Sequence, residues 1–354
     1  MRRAEERPRT GARVRRGAPA RTGDAPAARA VYDEAGGPEG AAAREAPLVL
    51  TTTVPTALSA GFGAILAVLI VASLAAVRLA GIRARVATWW AIVALVAGAI
   101  VLGPAGVVVL FALISFMALR EYLSLAPTRR EDRPALLLAY AVVPASYLFI
   151  WLDWYGITLV AIPVYAFLLL PAVLVLNGRT KGYLAAAGIL HWGLVVTVYN
   201  LGYAALFMNV PAAEAPAGGA GLLFFLLVVT SLNDVFQYIA GRLIGGPKIL
   251  PSISPNKTWA GFLGGWLGTA VLIVVLAPIY TGMPLRAVVI LALVLPVAGF
   301  AGDVTMSAIK RDLGVKDASK LLPGHGGVLD RVDSLTFTAP ITFHVFAFFS
   351  SARF

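Results

Sequence analysis

Cysteine is absent from this 354-residue chain, so disulfides, thiolate nucleophiles and cysteine-ligated metals are excluded. Histidine is scarce: His191, His325 and His344 are the whole set, which argues against a multi-histidine metal site. Charge is scarce as well, at 13% of residues, while 59% are hydrophobic and the mean hydropathy is +0.83. Soluble domains do not have this balance, and the chain holds many apolar runs of about twenty residues, the length a helix needs to span a bilayer. The composition therefore predicts an all-α fold, that of a polytopic integral membrane protein with about nine or ten transmembrane helices. Runs such as LLFFLLVV (222–229) lack the alternation of a β-barrel strand. A helix, in contrast, satisfies its own backbone hydrogen bonds in lipid.

A net charge of +11 would suggest nucleic acid in a soluble protein. Here the Lys/Arg excess falls in short loops, so topology and anionic membrane lipids account for it, and no nucleic-acid partner is expected.

Three regions follow from the pattern. Residues 1–46 are rich in Arg, Ala, Gly and Pro without an apolar run, the composition of a disordered tail that touches lipid headgroups electrostatically. The chain begins MRR, but no apolar h-region follows in the tail, so a cleaved signal peptide is not expected. Residues 47–220 carry N-terminal transmembrane helices, and 221–354 form a catalytic transmembrane region. Helices are expected near 56–78, 88–102, 104–121, 135–152, 155–176, 184–208, 221–240, 260–280, 287–308 and 335–350. The Gly103-Pro104 break fits either two spans or a re-entrant pair.

Two polar loops, 241–259 and 309–334, are separated by two helices and so face one side. By alternation, Arg83/Arg85, Arg129/Arg130/Arg133 and Arg179/Lys181 fall on that side too, which the positive-inside rule makes cytoplasmic. Ten helices would then put the Arg-rich tail outside, and its acidic residues leave it a small net charge; the side of the N-terminus stays open.

The second loop concentrates chemistry in SAIKRDLGVKDASKLLPGHGGVLDRVD (307–333). Asp330 and Asp333 stand three apart, sharing a face if the last helix begins by Asp330, and such a pair suits a hard divalent cation. Helix capping explains the pair equally well. It cannot explain Asp303, an intramembrane carboxylate that is costly unless partnered. Lys310, Arg311, Lys316, Lys320 and Arg331 either pair with these aspartates or grip phosphates. Gly324, Gly326 and Gly327 around His325 let backbone amides approach an anion closely. The first loop adds Arg242, Lys248, Ser252, Ser254, Asn256, Lys257 and Thr258, a phosphate cradle without Walker spacing. Asn233, Asp234 and Gln237 form a polar stripe just upstream, which polar packing between helices also explains. Gly264, Gly265 and Gly268 are expected to mark close helix packing, and His191 and His344 to be packed rather than ligating.

The 307–333 segment resembles the signature of the phosphatidate cytidylyltransferase (CDP-diacylglycerol synthase) family, SxxKRxxxxKDxxxxxPxHGGxxDRxD. Ser307, Lys310, Arg311, Lys316, Asp317, Pro323, His325, Gly326, Gly327, Asp330, Arg331 and Asp333 fill every fixed position. SPNKTWAG (254–261) is similar to the family's SPKKTxEG, and NDVFQYIAGRLIGG (233–246) to its DxxAYxxGRxxG. The likeness runs from about residue 221 to 335. Ala260, Asn256 and Gln237 depart from the pattern, which marks a divergent branch and leaves the lipid acceptor less defined than the reaction.

The resemblance implies a membrane-embedded, often homodimeric enzyme of the inner or plasma membrane, with its site open to the cytoplasm. It implies transfer of CMP from CTP to phosphatidic acid, with Mg²⁺, alone or with a second cation, held by Asp303 and Asp330 ahead of Asp333. Lys310, Arg311, Arg331 and Lys257 are then expected on phosphates. Asp234, Arg242, Ser254, Asn256, Thr258, Lys316, His325, Gly326 and Gly327 are expected to line the substrates. The lipid phosphate's second pKa near 6 leaves it ionised at neutral pH, so no activated serine or cysteine is required. Two rivals stay open: the same chemistry on another lipid phosphate, such as an isoprenoid-ether phosphatidate, and an ion-coupled transporter using Asp303 and Asp234 as a relay.

Overall fold

The structure is a computed structural model and describes residues 56–78, 83–176, 181–319, 321 and 326–350. The tail at 1–46, with Arg179, Lys320, Gly324 and His325, lies outside the described residues. Among the described residues, ten helices are long and apolar enough to cross a membrane. They are α1 (Thr56–Arg78), α2 (Arg83–Val101), α3 (Gly103–Leu125), α4 (Arg130–Trp151) and α5 (Tyr155–Val175), then α6 (Tyr183–Asn209), α7 (Gly218–Ile244), α8 (Trp259–Tyr280), α9 (Leu285–Asp312) and α10 (Leu329–Phe349). This is the expected polytopic all-α protein. Around the Gly103-Pro104 break, α2 and α3 have 19 and 23 residues, each enough for about 30 Å of hydrocarbon.

Boundaries moved where local chemistry carried a helix beyond its apolar run. α9 continues through Lys310 and Arg311 to Asp312, basic residues in its last turn being favoured by the helix dipole. α7 runs to Ile244 rather than 240. α5 and α6 each contain a π-helical stretch, Ala161–Ala166 and Val195–Tyr199. α10 begins with a short turn, Leu329–Val332, and continues in the main segment Leu335–Phe349, with Asp333 and Ser334 between them in helical conformation.

Burial separates centre from periphery. Half of the most apolar window is buried in α7, α9 and α10 (50% each), against 11% in α1 and α2, whose outward faces suit lipid contact. Phe343 on α10 stands 5.3 Å from Phe207 and 5.5 Å from Tyr203 on α6, ring centroid to centroid, and joins the N-terminal helices to the central ones.

The α7–α8 contact rests on small residues, as the Gly264/Gly265/Gly268 spacing predicted. A Cβ on Gly264 would meet that of Ala240, one on Gly268 would lie 3.1 Å from the Phe236 ring, and one on Gly265 would fall on Gln237 Cγ and 2.9 Å from its backbone N. Between these helices the first polar loop folds into a hairpin of β1 (Lys248–Leu250) and β2 (Ser254–Thr258), which hydropathy did not predict. Lys248 pairs with Thr258 and Leu250 with Ser254. Thr258 then caps α8, accepting from Gly261 N at 3.0 Å.

The loops expected on one side do meet. Arg311 Nε donates to Ile253 O at 3.2 Å, tying the end of α9 to the hairpin, and Arg129 Nη1 donates to Lys181 O, tying the α3–α4 loop to the α5–α6 loop.

Gly265→Ala should force α7 and α8 apart at Gln237 and destabilise the protein by about 1–3 kcal/mol. A lowered unfolding temperature in detergent would register this; an unchanged one would remove the close contact.

Candidate active site

Helices α7, α8, α9 and α10 bring two lysine–aspartate pairs to one end of the bundle. The first joins the hairpin to α9: Lys257 Nζ is 2.7 Å from Asp303 Oδ2, with side-chain exposures of 19% and 24%. Lys257 also donates to Gln237 Oε1 at 2.9 Å and lies 5.3 Å from the centre of the Phe300 ring. Burial rises along β2 from exposed Asn256 through half-buried Lys257 to buried Thr258, so the end of the strand next to α8 carries the ammonium toward the helices.

The second pair is more deeply buried. Lys310 Nζ is 2.6 Å from Asp330 Oδ1, and both residues are 8% exposed. Oδ2 of the same carboxylate accepts from Ala318 N at 2.8 Å and from Gly327 N at 2.9 Å. Asp330 therefore gathers the end of α9, the loop after it and the glycine turn. Gly326 has φ +79°, and a Cβ there would sit 2.6 Å from Asp330 Oδ2, so the close approach of backbone to carboxylate requires glycine.

Asp330 and Asp333 were expected to share a face if the last helix begins by Asp330; the helix begins at Leu329, and the backbone stays helical through Asp333 and Ser334. Asp333 Oδ1 accepts from Ser334 N at 2.9 Å, and its carboxylate feels Asp303 and Asp234 as like charges and Lys310 as an opposite one. Asp234 Oδ2 accepts from Ser334 Oγ at 3.0 Å, whereas Asp234 Oδ1 is buried without a hydrogen-bond partner. Three carboxylates on α7, α9 and α10 thus stand near enough to repel one another, flanked by Lys257 and Lys310.

Among the described residues, no three acidic or histidine side chains close on a single point as a protein-only metal cage. The donor set fits a hard divalent ion in another way. Mg²⁺ is commonly held by one or two carboxylates together with phosphate oxygens and water, and the unpartnered Asp234 Oδ1 and the mutual repulsion both favour a cation.

The remaining expected residues divide. Arg331, Lys316, Arg242 and Asn256 are exposed, with Arg242 donating to Tyr238 Oη at 2.7 Å; Ser254 is half-buried in β2. Arg311 braces the loops through Ile253 O and Val315 O, and Thr258 uses its hydroxyl as an acceptor for capping. His325 and Lys320 lie outside the described residues.

Sequence reasoning gave no contact role to two polar groups. Gln237 appeared as part of a stripe and as a departure from the family pattern but with no assigned contact, yet it meets Lys257, and its Nε2 is buried without a partner. Glu121 on α3 was not singled out at all, although it binds the signature loop. A buried acid near the C-terminal end of an apolar helix, where the dipole disfavours it, was the available signal.

Fold and site together define a polytopic membrane protein with a cluster of lysines, arginines and aspartates suited to polyphosphate chemistry at one end of its helices. The sequence model of the cytidylyltransferase family matches residues 83–349, and the chain belongs to that family; it is an enzyme of the nucleotidyltransferase class. The resemblance read from the signature segment is borne out. A phosphatidate cytidylyltransferase of Staphylococcus saprophyticus is 32% identical over 261 residues, 73% of this chain and 96% of that protein. An uncharacterized Escherichia coli (strain K12) protein, YnbB, is 41% identical over 261 residues, 73% of this chain and 85% of its own length. A phosphatidate cytidylyltransferase of Brucella abortus biovar 1 is 40% identical over 158 residues, 43% of this chain and 56% of that protein.

Lys310→Met leaves the Asp330 carboxylate buried without its cation and should cost about 3–5 kcal/mol. Lys310→Met combined with Asp330→Asn keeps an acceptor for the two amides and should recover part of that loss. Thermal unfolding of both variants in detergent tests the pair, and equal stability of wild type and the single variant would exclude it.

Proposed function

We propose that this enzyme transfers CMP from CTP to phosphatidate, giving CDP-diacylglycerol and pyrophosphate in phospholipid biosynthesis. The observation that carries the reading is the juxtaposition of Lys257–Asp303 and Lys310–Asp330 beside Asp234 and Asp333 at one end of the helices. The relatives named phosphatidate cytidylyltransferase support the choice of acceptor.

The chemistry asks little of the protein beyond alignment and charge. The lipid phosphomonoester is already ionised and attacks the α-phosphorus of CTP directly, with pyrophosphate leaving on the opposite side. Two polyanions must be held in line, which costs Coulomb energy unless cations stand between them. Lys257 and Lys310 present ammonium groups at the site, while exposed Arg331 and Lys316 extend the positive lining toward solvent. Asp303 and Asp330 would hold Mg²⁺, with Asp234 and Asp333 adding negative charge beside them. When bound, the ion would neutralise charge on the triphosphate and the departing pyrophosphate. At Asp330, Lys310 takes one position on Oδ1 and two amides fill Oδ2, so Oδ1 retains the free lone pair.

By alternation across the ten helices, Arg83, Arg85, Arg129, Arg130, Arg133 and Lys181, at helix ends or in loops, fall on the side of the two site loops, which supports a site open to the cytoplasm. One observation favours a second acceptor. Gln237, where the family pattern has alanine, contacts Lys257, so another lipid phosphate such as an isoprenoid-ether phosphatidate is the alternative substrate.

Purified enzyme with labelled CTP, a panel of lipid phosphates and a Mg²⁺ titration tests both readings. Stoichiometric pyrophosphate release with phosphatidate is expected, lost on chelation; preference for another lipid phosphate moves the acceptor, and no release with any of them overturns the reaction. Lys257→Ala should raise KM for a phosphorylated substrate about 10–100-fold, the worth of one charge-assisted phosphate contact. Unchanged kinetics would remove Lys257 from the phosphate set.

A further inference from the structure

Three successive backbone amides in the glycine turn are divided between two carboxylates. Gly327 N goes to Asp330 Oδ2, as described above, while Val328 N donates to Glu121 Oε1 at 3.0 Å and Leu329 N to Glu121 Oε2 at 2.8 Å. Ser319 Oγ adds a third bond to Glu121, reaching Oε1 at 2.7 Å. Glu121 is 6% exposed and lies on α3, some two hundred residues earlier in the chain.

We propose that Glu121 is a positioning residue for nucleotidyl transfer, a clasp that draws Ser319 and the Val328–Leu329 amides onto α3 and so sets where Asp330 and Arg331 stand. The inference rests on the cytidylyltransferase reading for what the positioned groups do, but not for the clasp itself.

The geometry selects a carboxylate. All three bonds to Glu121 come from uncharged donors, and an ionised carboxylate is an acceptor at both oxygens. Glutamine is isosteric but must turn an NH₂ either toward Ser319 and Val328 or toward Leu329, setting donor against donor. Aspartate is one methylene shorter and cannot reach the same amides from the same backbone position. Space is constrained equally: a Cβ on Gly327 would fall on the Glu121 carboxylate, so glycine at 327 is a condition of the contact.

The placement also explains why this contact bears on catalysis rather than on stability alone. Val328 and Leu329 stand at the start of the short turn Leu329–Val332, which carries Asp330 and Arg331. Oε1 holds both Ser319 and Val328, the two sides of the segment that contains Lys320 and His325. One side chain thus ties the neck of the signature loop, and α3 serves as the wall against which that loop is set. Productive alignment of two reacting phosphates tolerates little displacement, so losing part of the clasp should act on turnover first.

Glu121→Gln is expected to lower kcat about 10–100-fold, with thermal unfolding in detergent close to wild type and specific activity reduced per folded molecule. Ser319→Ala should cost less, and adding it to Glu121→Gln should have little further effect because both act on one contact. Limited trypsinolysis, read by mass spectrometry at Lys316 and Arg331, should be faster in Glu121→Gln. A wild-type kcat in that variant, or an activity loss matched by loss of folded protein, overturns the proposal. If wild-type enzyme fails to use CTP with any lipid phosphate, the functional reading falls instead, and the trypsin comparison still decides the clasp.

Discussion

A carboxylate buried at the end of membrane-spanning helices is stable only if its charge and lone pairs are answered, and Asp330 shows how this demand shapes the molecule. One oxygen takes the Lys310 ammonium and the other takes the amides of Ala318 and Gly327. Those partners come from the end of α9, the loop after it and the glycine turn, so satisfying one buried charge brings three stretches of chain together. Most of what surrounds the site follows from keeping that arrangement closed. Glycine is needed at 326 because a Cβ would strike the carboxylate, and α9 must continue past its apolar run to present Lys310.

The same logic recurs with different elements. Lys257 reaches Asp303 from the inner end of β2, one residue before Thr258 ends the strand as a helix cap. Gln237 can lie beside it because Gly265 leaves room across the α7–α8 contact. Glu121 repeats the device from α3, with amides and a serine hydroxyl in place of an ammonium. Charges that lipid would penalise are collected at one end, where Asp303 and Asp330 are held by lysines, Asp330 and Glu121 also by backbone amides, and Asp234 by the Ser334 hydroxyl. That concentration allows a largely apolar bundle to handle polyanions.

How far this could be read beforehand varies from residue to residue. Asp303 stood out because an acid inside an apolar run needs a partner, and the structure supplies Lys257. The glycines at 264, 265 and 268 were readable as packing because small residues inside an apolar span let a neighbouring helix approach closely. The hairpin was not legible: Lys248–Leu250 and Ser254–Thr258 are too short and too polar for strand periodicity to show. Asp330 and Asp333 looked like a pair because their spacing is helical, and the backbone is helical between them, but the spacing could not show that Asp330 takes Lys310 and two loop amides while Asp333 accepts from Ser334 N. Glu121 escaped attention because its partners lie some two hundred residues away.

The sequence by itself determined the ten apolar helices, the common side of the two polar loops and the family, since hydropathy is a local property and a dozen fixed positions in one register identify a signature. Tertiary structure alone decided which cation meets which carboxylate, that Gln237 touches Lys257, and that α3 holds the signature loop through Glu121. Hydrogen bonds and ion pairs form between atoms about 3 Å apart, and such distances between remote segments are set by how helices pack, which no single segment encodes.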